Sequence, residues 1–330
     1  MIDTIYVEKK IKNLKKTKDI CNLVKPRNLI ICENYREVFN VTKQNFKIQK
    51  KKPALILAKK YKSFLNIVPK NFTIGGDENF YFSHMLNCIY DCRYCFLQGM
   101  LRSANYVIFI NYKDFVKSIE EKIISSNAKN IHFFSGYDCD SLALEPISKF
   151  GKYVLKNLKK FPNIILEFRT KSTQINFLLK RIPHPNVVVA FSMSPDEIIN
   201  TYENKTPNLL KRLNAAKKLQ AAGWKVGLRF DPIIYCENFK RIYKNFFELI
   251  FNLIDKNQIH SITIGSFRMP KNFYAKITNL YSEKKDFFMH LKKDEEKVFY
   301  RSEVEDEILL FCRNNIEEHV DSSKLFINRY

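Results

Sequence analysis

The feature that most constrains this chain's fold is a regular alternation of apolar runs and amphipathic stretches that begins after residue 75. Each run is short and ends in a polar or glycine-containing turn, and each following stretch has the spacing of a surface helix. Strands that alternate with helices in this way form βαβ units and a parallel sheet. The runs lie at 79–85, 131–134, 164–168, 187–191, 226–230 and 262–267.

Six such units, joined by right-handed crossovers, predict an α/β fold built on an open or partial (β/α)6 barrel over residues 75–285. The alternative is a flat, doubly wound sheet. In both architectures, functional side chains collect at the carboxyl ends of the strands. The predicted helices lie at 112–126, 141–160, 173–181, 207–222, 239–256 and after 270, and a helix at 303–318 with a strand at 324–328 forms a C-terminal extension over 286–330.

Residues 1–74 are predicted to form a small, basic α+β region. The chain carries a formal net charge of +22, and residues 1–70 alone hold 18 Lys and Arg against 5 Asp and Glu, an excess of 13. Lysines outnumber arginines 43 to 13, so compositional drift in an AT-rich genome accounts for part of this charge. Its concentration near the N-terminus still favours a polyanionic partner, with nucleic acid as the first candidate.

Membrane and secreted classes are disfavoured. No run of eighteen or more apolar residues occurs, so we expect neither a membrane span nor a membrane partner. The first ten residues lack the apolar stretch of a secretory signal. With eight cysteines and no such signal, we expect a reducing compartment, the cytoplasm.

The strongest chemical signal is Cys88-Ile89-Tyr90-Asp91-Cys92-Arg93-Tyr94-Cys95, which directly follows the first predicted barrel strand. Thiols spaced as C-x3-C-x2-C in a reducing compartment bind metal more often than they form disulfides. Structural zinc and an ordinary [4Fe–4S] cluster each take four protein ligands, but here no fourth is near in sequence. Three thiolates on a four-iron cluster leave one iron open to a small molecule. A zinc knuckle with a remote fourth ligand is the alternative.

Polar and charged side chains also follow the later strands. Arg169 and Lys171 come after the third strand, where two cations are costly to bury unless an anion meets them. The alternative is a pair of solvated cations at the start of a loop. Ser192 ends the fourth strand, and Arg229 and Arg268 end the fifth and sixth, which predicts one arginine from each at the same rim.

The cysteine spacing, with an aromatic residue just before the third cysteine, resembles that of the radical S-adenosylmethionine (SAM) superfamily. The resemblance implies that Cys88, Cys92 and Cys95 hold a [4Fe–4S] cluster whose open iron binds the amino and carboxylate groups of SAM. One electron then cleaves the sulfonium and releases a 5′-deoxyadenosyl radical. The positions that match SAM-contacting residues are Tyr94 against the adenine, Ser135 and Gly136 near the amino group, Lys171 and Ser192.

Longer segments resemble the spore photoproduct lyase family over roughly residues 75–330; the most specific are Cys95-Phe96-Leu97-Gln98-Gly99 and Phe168-Arg169-Thr170-Lys171-Ser172. That family repairs a thymine dimer, 5-thyminyl-5,6-dihydrothymine, in DNA. The resemblance implies a lyase whose radical removes hydrogen from C6 of the lesion, after which the methylene bridge breaks. It also implies damaged, double-stranded DNA with a flipped-out lesion, and a one-electron reductant such as a flavodoxin or ferredoxin.

In this family a cysteine thiol returns a hydrogen atom to the product. The family's register puts that cysteine at Tyr137 or Asp138, so Cys139 is a candidate donor with a shifted position; the alternative is a small buried residue. Tyr94 matches one member of the family's tyrosine pair and is a second candidate catalytic residue. Phe96 stands where the other tyrosine would be and has no hydroxyl. These departures leave open a different substrate, RNA or another modified base.

A last candidate nucleic-acid contact lies near the C-terminus. Tyr300 and Arg301 would wedge into DNA if they stood on a hairpin tip; an ordinary edge strand is the alternative. With Arg229 and Arg268, they complete the predicted nucleic-acid contacts. A non-enzymatic nucleic-acid-binding protein with a structural metal remains the third functional hypothesis, but it gives no reason for the cations at the strand ends.

Overall fold

The computed structural model describes residues 2–69, 72–159, 161–281 and 290–329, and two large β-sheets organise these ranges. The strands are β1 (Thr4–Glu8), β2 (Asn28–Cys32), β3 (Leu55–Ala58), β4 (Asn66–Ile67), β5 (Glu78–Phe82), β6 (Met85–Leu86), β7 (Asp91–Cys92), β8 (Tyr106–Phe109), β9 (Ile131–Ser135), β10 (Ile164–Thr170), β11 (Val187–Ser192), β12 (Glu203–Asn204), β13 (Lys225–Ile233), β14 (Ile259–Ser266), β15 (Arg268–Pro270), β16 (Leu291–Lys293), β17 (Lys297–Tyr300) and β18 (Leu325–Asn328).

The helices cover the crossovers between these strands. They are α1 (Lys15–Val24), α2 (Phe46–Lys51), α3 (Leu97–Met100), α4 (Tyr112–Ser125), α5 (Glu145–Ser148), α6 (Phe150–Asn157), α7 (Asn176–Leu179), α8 (Asp196–Tyr202), α9 (Leu209–Ala221), α10 (Phe239–Leu253), α11 (Lys271–Leu280) and α12 (Ser302–Glu317). None of these helices has the length and apolar character that a membrane crossing requires.

The larger sheet has eight strands in the order β18-β14-β13-β11-β10-β9-β5-β4. From β5 to β14 the strands are parallel and lie side by side in chain order. A doubly wound sheet reverses its strand order at a switch point, and this sheet does not. The predicted partial (β/α)6 barrel is therefore confirmed, and the doubly wound alternative is wrong. β18 adds to the β14 edge, as the predicted C-terminal strand.

The burial of these elements follows from their composition. All six residues of β11, Val-Val-Val-Ala-Phe-Ser, are buried, as expected for a central parallel strand covered on both faces. Helix α10 buries one apolar stripe, with Phe239, Tyr243, Phe246 and Ile250 at helical spacing. These residues belong to one continuous hydrophobic core that joins the barrel to the smaller sheet.

The smaller sheet has the order β2-β1-β3-β8-β6. Its first four strands are parallel, so β1, β2 and β3 of the N-terminal region belong to a parallel α/β layer, whereas β4 pairs antiparallel with β5 in the larger sheet; we predicted an α+β region. The sequence pattern showed the apolar runs of β2 and β3 but not β1, whose alternating residues Ile5 and Val7 are buried. Strands β8 and β6 complete this sheet from beyond residue 75.

Two predicted elements divide in the structure. The run at 79–85 forms β5 in the larger sheet and contributes Met85 to β6 in the smaller one. The helix at 141–160 is interrupted at Lys149, which has φ +52° and separates α5 from α6. The other predicted barrel strands and the helices near 112, 207, 239, 270 and 303 lie close to their predicted positions. The first division matters for function because the segment that carries the three clustered cysteines follows β6. That segment therefore begins at the smaller sheet, next to the barrel.

Candidate active site

A cavity of about 510 Å³ lies at the carboxyl ends of the barrel strands. One wall is the segment between β6 and α3, residues 87–96, which we call the cysteine loop. The opposite walls come from the ends of β9, β10, β11 and β13 and from the segment that follows β14. Its volume falls within the range of ordinary small-molecule sites. The predicted residues that line it are Cys88, Cys92, Tyr94, Cys95, Ser135, Gly136, Cys139, Lys171, Ser192 and Arg268.

The cysteine loop presents its three thiols to this cavity. Cys92 is buried, and Cys88 and Cys95 are half-buried. Short backbone contacts fix the loop: the Cys95 N–H donates to the Cys92 carbonyl at 3.0 Å, and the Tyr90 N–H approaches the Cys88 sulfur at 3.4 Å. Burial raises the pKa of all three thiols. These thiols therefore need a cationic partner to exist as thiolates.

The three cysteine thiols can be compared with the ligands required by the two metal centres that the sequence allows, a zinc site and an iron–sulfur cluster. Within the described ranges, no three His, Cys, Asp or Glu side chains converge as the ligands of one metal ion would. In an iron–sulfur cluster each thiolate binds its own iron, so the sulfurs only have to face a common space. Three cysteine thiols on one cavity wall satisfy that condition. The residues present fit a three-cysteine cluster.

A buried carboxylate, Glu203, anchors the residues beside the cysteine loop. Strand β12 carries it and pairs with β7, so that Glu203 lies opposite Cys92. The Tyr94 hydroxyl donates to its carboxylate, Lys171 Nζ lies 3.3 Å away, and the Arg212 guanidinium donates at 2.5 Å. We call these four side chains the Glu203 centre. Burial alone would raise the pKa of Glu203, but Lys171 and Arg212 outweigh it and hold that pKa at about 2.

The end of β9, the second barrel strand, carries a hydroxyl group that lacks a hydrogen-bond partner within the part of the chain that the structure describes. The Ser135 hydroxyl is buried, lines the cavity and has no hydrogen-bond partner among the described residues. A buried polar group of this kind normally meets a ligand or an ordered water. Gly136 follows with φ +84°, and a Cβ there would lie 2.4 Å from the Ser141 hydroxyl oxygen. Only glycine fits this turn, which brings the backbone to the cavity wall.

The segment after Gly136 places two candidate hydrogen donors at the cavity. Cys139 is buried, and burial together with Asp138 and Asp140 raises its pKa well above the ordinary value. Tyr137 is more exposed, stacks on Tyr81 with ring centroids 4.2 Å apart, and lies 5.8 Å from the Phe96 ring. Both Cys139 and Tyr137 line the cavity. Geometry alone therefore leaves both positions available to a substrate.

Asp140 fixes the backbone on which these side chains stand. Its carboxylate accepts hydrogen bonds from the Thr170 hydroxyl at 2.6 Å and from the Lys171 N–H at 2.6 Å. It also accepts from the N–H groups of Leu142 and Ala143. This residue ties the ends of β9 and β10 together and thereby sets the position of Lys171. At the end of β11, the Ser192 carbonyl oxygen accepts a hydrogen bond from the Arg212 guanidinium at 3.0 Å.

A second buried carboxylate, Glu167, corrects one prediction. Arg229 donates to Glu167 at 2.6 and 3.3 Å and to the Ser261 hydroxyl at 2.9 Å, and its side chain is fully buried. Gly227 leaves room for this, because a Cβ there would lie 2.8 Å from the guanidinium. Arg169 completes the group, donating to Glu167 at 2.9 Å from a partly exposed position on the cavity wall. We call these residues the Glu167 centre. The predicted nucleic-acid contact of Arg229 is wrong.

The C-terminal prediction also needs correction. Tyr300 lies in β17, where alternate residues face the core, and it is fully buried with its hydroxyl accepting from the Tyr235 N–H at 2.9 Å. The β16–β17 hairpin turns at 294–296, so Tyr300 is not on a tip. Arg301 is exposed just before α12 and is absent from the cavity lining. Arg268 does reach the cavity; it donates to Asp231 at 3.1 Å and lies over the Phe72 ring at 4.4 Å.

Sequence reasoning missed the two carboxylates that organise the site. Glu203 belongs to no recognisable motif and joins the cysteine loop through a two-residue strand pair. Glu167 directly precedes one of the segments that resemble the family, but its apolar neighbours Leu166 and Phe168 gave no sign of a buried charge. The usable signal was indirect: Arg169, Lys171 and Arg229 lie at the ends of apolar strands, and cations that become buried there need carboxylate partners.

Comparison with known proteins agrees with this geometry. The spore photoproduct lyase family model matches residues 76–324. Spore photoproduct lyase of Bacillus subtilis (strain 168) is 24% identical over 215 residues, which are 65% of this chain and 62% of that protein. The Clostridium acetobutylicum enzyme is 28% identical over 171 residues, 51% of this chain and 50% of the relative. The aligned segments thus span less than two thirds of these relatives.

Solved structures show the same architecture over the whole chain. A spore photoproduct lyase variant with bound AdoMet and dinucleoside spore photoproduct superposes with a TM-score of 0.85 at 17% identity, covering 100% of this chain and 99% of the other. Another, complexed with dinucleoside spore photoproduct alone, also gives 0.85 at 17% identity, covering 100% and 98%. At this identity the likeness establishes the fold. Together with the family match over residues 76–324, it means that this chain belongs to the spore photoproduct lyase family.

Proposed function

We propose that this chain is an iron–sulfur, SAM-dependent lyase that repairs spore photoproduct in DNA. The observation that carries the proposal is the meeting, in one cavity, of three cysteine thiols, an unsatisfied serine hydroxyl and cations in excess of their carboxylates. Membership of the family supports it, since relatives of this fold bind AdoMet and dinucleoside spore photoproduct.

The cluster ligands are Cys88, Cys92 and Cys95. A four-iron cluster held by three cysteines supplies an open iron for SAM and the electron that cleaves its sulfonium. The protein holds the loop that carries these thiols in place. It does so through the β7–β12 strand pair and the backbone hydrogen bond from Cys95 to Cys92. The electron comes from a small one-electron carrier such as a flavodoxin or ferredoxin.

The Glu203 centre orients SAM. It contains one carboxylate and two cations, so one positive charge is left over. Arg212 is fully buried, whereas Lys171 lines the cavity and brings that charge to the SAM carboxylate. Tyr94, fixed by its bond to Glu203, offers its ring to the adenine. Ser135, Gly136 and Ser192 contact the amino acid part of SAM from the neighbouring strand ends.

Hydrogen return is assigned to Cys139. Its raised pKa keeps the thiol protonated at neutral pH, as a hydrogen-atom donor requires. In this step the S–H bond breaks, a C–H bond forms on the product radical, and the unpaired electron passes to sulfur. Tyr137 is the competing donor, because it lines the same cavity. Phe96 lies beside it and has no hydroxyl with which to relay a hydrogen atom.

The nucleic-acid partner is damaged DNA in duplex form, with the lesion flipped into the cavity. Arg169 and Arg268 face the cavity, and they are the cations positioned to contact the phosphates of the DNA. Arg301 is retained as an outer contact. We place the enzyme in the cytoplasm, and we divide the chain into a basic region at 1–74, the barrel at 75–285 and an extension at 286–330; the boundary at 285 lies outside the described residues.

The test is an anaerobic repair assay. Reconstituted protein is incubated with SAM, dithionite and dinucleoside spore photoproduct, and chromatography measures the lesion, the repaired dinucleotide and 5′-deoxyadenosine. We expect repaired dinucleotide from the wild type and none from Cys92→Ala. SAM cleavage without loss of the lesion would contradict the substrate and favour RNA or another modified base. A colourless protein with one zinc would favour the non-enzymatic hypothesis.

The donor is tested in the same assay run in D2O, where exchangeable S–H and O–H become S–D and O–D. We expect deuterium in the repaired dinucleotide from the wild type and from Tyr137→Phe. We expect Cys139→Ala to incorporate no deuterium from the solvent and to accumulate products other than the repaired dinucleotide. Loss of the label in Tyr137→Phe alone would instead assign the transfer to the tyrosine hydroxyl.

A further inference from the structure

A lysine from the N-terminal region reaches the cysteine loop. Lys50 lies in α2, and its ammonium donates to Asp91, a loop residue adjacent to Cys92. It also donates to Gln98 Oε1 at 2.8 Å and contacts the Tyr281 hydroxyl at 2.8 Å. The Lys50 and Asp91 side chains are only 21% and 16% exposed. A lysine held by three partners and mostly buried has lost the freedom of an ordinary surface lysine.

The partners of Lys50 form a closed group around the loop. Tyr281, just beyond α11, contacts both Asp91 and Gln98 through its hydroxyl, at 3.0 and 2.6 Å. Gln98 donates in turn to the Cys92 carbonyl at 2.6 Å, and the Arg93 guanidinium lies over the Tyr281 ring. The group therefore connects the N-terminal region, the loop and the segment after β15. Through Gln98 the group contacts the backbone of Cys92, a proposed cluster ligand. Its members are not part of the cavity lining, unlike the three cysteines.

The charges of this group also act on the thiols. Lys50 is near enough to Cys95 for the two to interact electrostatically, and Asp91 is one residue from Cys92. The nearby pair is one cation and one anion, so it is neutral as a whole. Removing either member alone leaves a single unbalanced charge beside the loop. Iron–sulfur potentials respond to nearby charge and to hydrogen bonding, so the sign of that charge becomes measurable.

We propose that Lys50 is a positioning residue of the active site: it braces the cysteine loop from the N-terminal region and, paired with Asp91, sets the charge beside the bound cluster. The inference rests on the proposed function, because it requires a cluster on Cys88, Cys92 and Cys95. It assigns to the N-terminal region a part in building the redox site, separate from its predicted contact with nucleic acid.

The test is a dithionite titration of the reconstituted cluster at controlled potential, followed by electron paramagnetic resonance, without SAM or substrate. Lys50→Met removes the cation and leaves Asp91 unpaired, so the reduction equilibrium constant should fall about tenfold, or about 59 mV toward negative potential. Asp91→Asn leaves Lys50 unpaired, and the potential should move in the opposite direction. Lys50→Arg should restore most of the wild-type value. Lys47→Met, an exposed lysine of the same helix, is the matched control and should not change it.

A second measurement distinguishes the two roles proposed for Lys50, which are to hold the cysteine loop in place and to set the charge beside the cluster. Tyr281→Phe removes a hydroxyl that contacts Lys50, Asp91 and Gln98 but removes no charge, so we expect faster loss of iron to a chelator with an unchanged potential. This variant also keeps the inference testable if Lys50→Met does not fold. Shifts in the same direction for Lys50→Met and Asp91→Asn would overturn the charge assignment, and wild-type potential and chelator resistance in Lys50→Met would overturn the inference. If the wild type itself binds no cluster, it is the proposed function that fails.

Discussion

The Glu203 centre and the Glu167 centre are built from the same parts and serve different purposes. Each contains one fully buried carboxylate, one fully buried arginine and one cation at the cavity. In each, the cations hold the pKa of the carboxylate at about 2 against the effect of burial. The difference lies in what they join: Glu167 connects barrel strands to one another, whereas Glu203 connects the cysteine loop to the barrel.

This difference shows how one electrostatic solution can stabilise a scaffold and also position a ligand site. In the Glu167 centre, Arg229 donates to Glu167 on β10 and to Ser261 on β14, and so ties three barrel strands together. The Glu203 centre holds Tyr94 and Lys171, which face the proposed SAM site. In both, the surplus positive charge is at the cavity surface. We therefore expect equal effects on stability and unequal effects on SAM binding when matched residues are changed.

The largest effect is expected from the buried arginines. Arg212→Met and Arg229→Met each leave a buried carboxylate with one cation fewer, which should destabilise the fold by about 3–5 kcal/mol. Chemical denaturation of the two variants measures this loss, and equilibrium dialysis measures SAM affinity. We expect a weakened SAM affinity in Arg212→Met alone. Equal SAM affinities in the two folded variants would remove the distinction between the centres.

A smaller and more selective effect is expected from the cavity-facing cations. Lys171→Met should weaken SAM binding by about tenfold, since it removes a charge-assisted contact of roughly 1.4 kcal/mol or more. Arg169→Met should leave SAM affinity near the wild-type value and weaken binding of lesion-bearing DNA. Calorimetric titration with each ligand checks both variants. The reverse pattern would exchange the roles of the two cations.

The two carboxylates also predict the response to acid. A carboxylate whose pKa is lowered in the folded state stabilises the protein above its unfolded pKa, about 4.3 for Glu. With folded pKa values of about 2, this contribution should be lost as pH falls from about 5 toward 2. Denaturant unfolding measured across that range should show a steeper fall in the wild type than in Glu203→Gln or Glu167→Gln. An unchanged slope in both variants would show that the centres do not carry the acid sensitivity.

The smallest effects are expected from single hydroxyls. Ser194 donates to Glu203 at 3.1 Å, and Ser261 accepts from Arg229 at 2.9 Å. Ser194→Ala and Ser261→Ala should each cost about 1 kcal/mol of unfolding free energy. Thermal unfolding of the pair provides the comparison. A cost in one centre several times that in the other would show that their hydrogen bonds are not equivalent.

The fold, and the position of the three cysteines at one cavity, could be predicted from the sequence because both depend on local pattern. Strand order follows from successive βαβ units, and the three cysteines lie within eight residues. The position of Arg229 could not be predicted this way. A residue at a strand end looks exposed, but its side chain folds back past Gly227 to a carboxylate two strands away.

Glu203 and Lys50 were missed for a related reason. Each joins the cysteine loop across a long separation in sequence, 41 residues in the case of Lys50 and Asp91. Single charged residues carry no periodicity, and a lysine in a lysine-rich segment is indistinguishable from its neighbours. Their partners depend on how the two sheets pack, which no local pattern specifies. The sequence thus identified the proposed cluster ligands, and the structure was needed to identify the residues that hold the cysteine loop in place.

The central claim is that the cysteine loop and the cavity beside it bind a cluster that cleaves SAM. The most direct measurement is the iron and acid-labile sulfide content of anaerobically reconstituted protein, followed by 5′-deoxyadenosine formation from SAM and dithionite. The account predicts about four irons per chain and 5′-deoxyadenosine from the wild type, with both lost in Cys88→Ala, Cys92→Ala and Cys95→Ala. A protein with one zinc, or 5′-deoxyadenosine formation that survives these substitutions, would contradict it.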